Sequence, residues 1–128
     1  MRNGTIMTDW NNYSDLLLYA ALSYHLQGND VEALDCYRNA TGMWNETSTG
    51  LQDAGFNGTY DTYKLALLLY AAKVLGQTPT FETELVTRIY TQQRVSDGGI
   101  ITNYYYNGTL SGDANTETTS MTIIALCV

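Results

Sequence analysis

Six asparagines stand in the pattern Asn-x-Ser/Thr: Asn3, Asn12, Asn39, Asn45, Asn57 and Asn107. That tripeptide is the acceptor for N-linked glycans. The chain has ten asparagines, and its Ser/Thr content would give about two such patterns by chance. Their placement fits the chemistry. Asn3 is near the first residue, Asn45 and Asn57 flank a Gly/Thr/Ser stretch, Asn107 opens an Asn-Gly turn, and Asn39 falls on the polar face of an expected helix. None has to be buried. The expectation is an exported glycoprotein, extracellular or on a cell surface, with N-glycans attached. The competing reading is a chain that is merely rich in Asn and Thr.

Other residue patterns invite chemistry more weakly. Asp113, Asn115 and Glu117 lie two apart, a spacing that can supply oxygen ligands to calcium. Helix capping by Asn115 or Thr116, with Glu117 on the positive end of the helix dipole, explains the same residues and carries more weight. Asp61 and Glu117 each precede an apolar helix, and paired carboxylates can serve as acid and base in glycoside cleavage. Two acids among thirteen can also fall there by chance. Trp10, Tyr63, Tyr104 and Tyr106 are candidate ligand-binding aromatics, since sugar faces stack on such rings, although packing within the fold is the plainer use. His25 has no ligand partner at metal spacing. Cys36 and Cys127 fit one disulfide or two small apolar residues equally well. No pattern calls for a cofactor.

Charge narrows the partners. The net charge of −7 and the lack of any basic patch argue against nucleic acid and against an anionic membrane surface. The longest apolar runs, 16–22 and 65–75, are shorter than the roughly 18–20 residues a membrane span needs. The first residues lack the apolar stretch of a signal peptide, so any export signal is removed or lies outside this chain.

The elements that must position these residues read as helices. Segments 13–27, 62–75 and 118–128 are apolar nearly all round, as in a helix covered on most sides. Segments 30–44 and 81–93 are one-sided, with Ala33, Leu34, Cys36, Tyr37, Ala40 and Trp44 on one face of the first. The string Leu-Leu-Leu-Tyr-Ala-Ala occurs at 16–21 and again at 67–72, an internal repeat of about 50 residues. Each unit predicts a helical hairpin whose first helix is wrapped by neighbours and whose second faces solvent. Connections from outer to inner helices are long, 45–61 and 95–115. The latter predicts a small β-hairpin near 99–110 with an Asn107-Gly108 turn.

These residues resemble a known repeat. Gln93-Arg94-Val95-Ser96-Asp97-Gly98-Gly99-Ile100, then Asp113 and the last helix, is similar to the repeat of terpene cyclases and protein prenyltransferase β-subunits. Asp53-Ala54-Gly55-Phe56, followed by Tyr60-Asp61-Thr62-Tyr63, looks like a looser copy, and together the two cover roughly the last 80 residues. The resemblance implies an α/α toroid, an architecture that also serves glycosidases, polysaccharide lyases and thioester domains. The cyclase Asp-x-Asp-Asp run and the prenyltransferase zinc set of Asp, Cys and His are absent, so neither activity is carried over.

The sequence therefore predicts one all-α domain over 1–128: an open or partial α/α toroid of about two and a half hairpins, with one small β-hairpin. An incomplete ring calls for neighbouring subunits, which makes a homo-oligomer or filament, or for the rest of a longer chain. The expected role is structural or interactive, through self-assembly or glycan binding. The alternative is part of a carbohydrate-active enzyme of glycosidase or lyase type.

Overall fold

The computed structural model describes residues 10–94 and 97–128. A 3-10 turn, Trp10–Asn12, leads into α1, Ser14–Leu26, and Gly28 at φ +82° turns the chain into α2, Asp30–Thr41. Glycine takes that left-handed conformation without a Cβ penalty. In α2, Ala33, Cys36, Tyr37 and Ala40 are buried, a spacing of three and four that makes one helical face.

Two short strands follow, β1 at Trp44–Asn45 and β2 at Gly50–Leu51, paired antiparallel. Then β3, Thr59–Asp61, runs directly into α3, Thr62–Val74. Gly76, at φ +68°, ends that helix. Next come α4 at Glu82–Thr91, β4 at Ile101–Tyr105, β5 at Leu110–Ala114 and α5 at Thr116–Cys127.

α3 is the centre of the molecule. Leu65, Ala66, Leu67, Leu68, Leu69, Ala71 and Ala72 are all buried. α1 lies on one side of it and α5 on the other. The starts of α1 and α3 meet where the Tyr63 hydroxyl donates to Asp15. The ends of α3 and α5 meet where Lys73 Nζ donates to the Ala125 and Leu126 carbonyls at 2.7 and 3.2 Å. The three helices therefore run parallel, and Lys73 satisfies carbonyls that the last turn of α5 leaves without an intrahelical partner. α2 packs antiparallel on α1, while α4 adds Leu85 and Ile89 to the core.

Two expectations need correction. The chain is not all-α. Of the described residues, 54% are helical and 16% are in strands, so the fold is mixed α and β. The expected hairpin is present as β4–β5, with Gly108 at φ +90° in its turn. But β3 joins it antiparallel, with Thr59 opposite Tyr105, Tyr60 opposite Tyr104 and Asp61 opposite Asn103, giving a three-stranded sheet. The long connections expected as loops carry this strand structure. The physical reason is pairing: Tyr60 and Tyr104 bury as cross-strand neighbours with ring centres 5.2 Å apart, contacts no local pattern reports.

The second correction concerns the apolar helices. Among the described helices α3 is the most fully buried. α1 leaves Tyr19 and Leu26 exposed, and α5 leaves Ile123 and Ile124 exposed, because α1 is covered chiefly by α2 and α3, and α5 chiefly by α3. Among the described residues no helix is long and apolar enough to cross a membrane.

Candidate functional site

The densest polar cluster gathers where α1 and α3 begin. The Asp53 side chain is 1% exposed. Its Oδ2 accepts from the Ser14 N–H at 2.6 Å and from the Ser14 hydroxyl at 2.7 Å. Lys64 Nζ reaches the same carboxylate at 3.0 and 3.2 Å, and Asp61 Oδ2 lies 3.5 Å from that ammonium. Burial pushes the Asp53 carboxyl upward, but the two Ser14 donors and the Lys64 ammonium outweigh it and hold it below the usual range. Burial pulls Lys64 down, and the Asp53 bond more than restores it, so its pKa is raised. Both groups stay charged, as a closed ion pair.

What that arrangement does is structural. Ser14 is the first residue of α1, whose early N–H groups have no intrahelical acceptor. Asp53 supplies one from 39 residues away, and the Ala54 N–H beside it donates to the Asn12 carbonyl at 2.9 Å. The loop is thereby fastened to the start of the helix.

A matching turn occurs at the second resembling segment. Asp53 Oδ1 accepts from the Gly55 N–H at 2.9 Å, and Asp97 Oδ1 accepts from the Gly99 N–H at 3.0 Å. Each acid also faces a cation, Lys64 in the first and Arg94 in the second. The Arg94 guanidinium and the Gly99 N–H depress the Asp97 carboxyl to about 2.

The sequence-nominated acids fall into this framework. Asp61 stands at the residue before α3, but its side chain turns away from the helix N–H groups and accepts from Asn103 Nδ2 at 2.7 Å. Glu117 is exposed in the first turn of α5. Asp113 pairs with Arg94. Asn115 Oδ1 accepts from the Thr118 N–H at 2.8 Å, the capping role weighed against calcium. Among the described residues, no three His, Cys, Asp or Glu side chains gather as a metal site. His25 Nδ1 sits 3.0 Å from Asp30 Oδ1 across the Gly28 turn. Cys36 is buried and Cys127 exposed, and both are free thiols.

The candidate aromatics separate. Trp10 packs half-buried on the core. Tyr63 is spent on Asp15. Tyr104 is fully buried, donates to the Thr49 carbonyl at 2.8 Å and lies under the Arg88 guanidinium at 4.8 Å, so neither ring face is open to a ligand. Tyr106 is exposed in the hairpin turn.

The acceptor asparagines are placed at the surface. Asn12, Asn39, Asn57 and Asn107 are exposed and Asn45 is half-buried, while Asn3 lies outside the described residues. Asn57 Oδ1 accepts from the hydroxyl of its own Thr59 at 3.2 Å, and Asn107 Oδ1 from the N–H of its own Thr109 at 3.0 Å.

One feature was missed from sequence. The end of α2, β1 and the α3–α4 connection border an open cleft of about 490 Å³. Its wall includes Trp44 and Phe81, stacked at 4.3 Å and 5°. Trp44 and Phe81 are 37 residues apart, and no local signal joins them. No protein-family model, curated protein or solved structure matches the chain.

Proposed function

We propose that this chain is an exported, N-glycosylated domain with a structural or interaction role. The observation that carries the reading is the position of the acceptor asparagines. Four of the five among the described residues are exposed, so a glycan there displaces no core side chain. Asn57 and Asn107 support it most. Both stand in Asn-Gly-Thr turns at one end of the three-stranded sheet: Thr59 pairs with Tyr105, whose N–H donates to the Thr109 carbonyl. Glycans at both would shield that end together.

A non-catalytic role is supported by where the acids go. Asp53, Asp61, Asp97 and Asp113 are all held by cations or backbone and side-chain donors of the fold. Tyr19 on α1, Ile123 and Ile124 on α5, and Val128 just after it are exposed apolar surface, which supports association with a second copy or with further chain. The similar turns at Asp53 and Asp97 support reading the two segments as copies of one repeat.

Expression through a glycosylating secretory pathway tests the proposal. The wild type should migrate as a ladder of glycoforms, and Asn57→Gln with Asn107→Gln should remove two steps from it. Secreted protein that migrates as one unmodified band in both forms would reject the reading.

A further inference from the structure

We propose that the cleft between the end of α2, β1 and the α3–α4 connection binds a neutral sugar. The inference stands on the cleft alone and does not require the chain itself to be glycosylated. At about 490 Å³ the space is within the roughly 300–1,000 Å³ of small-ligand sites. Its lining includes Tyr37, Arg38, Trp44, Glu46, Thr80 and Phe81. Half-buried Trp44, held rigid by the buried Phe81 ring stacked on it, supplies apolar surface for the C–H face of a sugar ring, and the others supply hydrogen-bonding groups around it.

The second observation is independent of shape. Tyr37 is 5% exposed, and its hydroxyl is buried without a partner. Trp44 Nε1 is buried without a partner as well. Buried polar groups in folded proteins nearly always have partners, and these two belong to residues that line the same cleft. An indole N–H can only donate, so the missing partner must carry acceptor oxygens. Both atoms are shielded by the wall of the cleft, so binding opens that wall slightly.

Charge selects among acceptor-bearing ligands. Glu46 lines this cleft, and Glu46 and Glu84 line the adjoining one against the same Trp44–Phe81 wall. The chain carries −7 overall, so an anion is repelled. A cation would meet the Trp44 N–H, which can only donate, and the Arg38 guanidinium of the same lining. A neutral polyol satisfies the donors with its oxygens, offers hydroxyls to Glu46, and accepts from Arg38.

The sugar has two possible sources: a free neutral oligosaccharide, or a glycan on Asn39 or Asn45 of this chain, each adjacent in sequence to a lining residue. Nuclear magnetic resonance of the two indole N–H signals separates them, with Trp10 as internal control. The full chain carrying Asn39→Gln and Asn45→Gln is titrated with chitobiose, cellobiose and mannobiose at millimolar concentrations. At least one sugar should shift the Trp44 signal saturably and leave Trp10 in place. Tyr37→Phe should weaken that binding by up to about tenfold, the worth of one hydrogen bond. If the chain's own glycan fills the cleft, the Trp44 signal of the glycosylated wild type already sits at the sugar-bound position and returns on removing the acceptors. A Trp44 signal unmoved by all three sugars and unchanged by glycosylation overturns the proposal. So does equal movement of Trp10, or binding that Tyr37→Phe leaves intact.

Discussion

Replacing Asp53 with alanine should be among the most damaging single changes to this fold. The carboxylate is 1% exposed and Lys64 8% exposed. Removing Asp53 leaves the ammonium buried beside Asp61, whose carboxylate is 3.5 Å away and 38% exposed. It also strands the Ser14 N–H and hydroxyl. Breaking a buried pair from one side costs about 3–5 kcal/mol. The remaining Asp61 contact puts the expected loss near the lower end, about 3 kcal/mol, or roughly 10 °C in melting temperature at this chain length.

Lys64→Met should cost less, since Asp53 keeps its Ser14 and Gly55 donors. The apolar double variant Asp53→Leu with Lys64→Met should recover part of the loss, because replacing both charges removes the uncompensated one. Urea denaturation followed by circular dichroism measures all three. A cost below about 1 kcal/mol for Asp53→Ala, or strictly additive losses in the Asp53→Ala/Lys64→Met double variant, would refute the reasoning, because contacting residues must couple.

The pair also sets a pH window. The folded Asp53 value is lowered, so its contribution is complete well above the unfolded value of about 4 and is lost as pH falls through the folded one. The folded Lys64 value is raised, so its contribution holds below about pH 10 and is lost as pH rises through the folded value.

Three further outcomes are expected. Gln92 is fully buried and its Nε2 donates to Thr62 Oγ1 at 3.0 Å and towards the Ile101 and Asn103 carbonyls, tying α3 to β4. Gln92→Ala should cost about 2–3 kcal/mol in urea denaturation, and a neutral result would show that the tie is unimportant. A Cβ on Gly50 would meet the Tyr60 ring at 2.6 Å. Gly50→Ala should therefore destabilise by about 2–3 kcal/mol and shift the near-ultraviolet tyrosine signal, and an unchanged melting curve would contradict that packing. Tyr37→Phe removes a buried hydroxyl that has no partner, so the ligand-free protein should be unchanged or up to about 1 kcal/mol more stable; a clear loss would mean that the hydroxyl is bonded.

Much of the helical skeleton was readable. The one-sided spacing of Ala33, Cys36, Tyr37 and Ala40 is the buried face of α2, and Gly28 and Gly76 mark the ends of α1 and α3 through positive φ. The Asn107-Gly108 turn placed the hairpin. What escaped was structure made by distant partners. β1, β2 and β3 are two or three residues long, too short to show alternation, and exist because Leu51, Tyr60 and Tyr104 bury in one core. Lys64 stands in an apolar run, and its partner Asp53 is eleven residues away across a loop. The same limit applies to α1 and α5: their composition matches that of α3, but their burial depends on how many neighbours the fold supplies. It applies again to the cleft, whose two walls come from separate hairpins.

Glycosylation of the native chain is the most direct measurement of the central claim. Chymotryptic peptides, cut at the eleven tyrosines among other sites, can be mapped by mass spectrometry from protein isolated at its source. Sugar mass on the peptides holding Asn57 and Asn107 is the expected result. Unmodified asparagine at all six acceptor positions would contradict it.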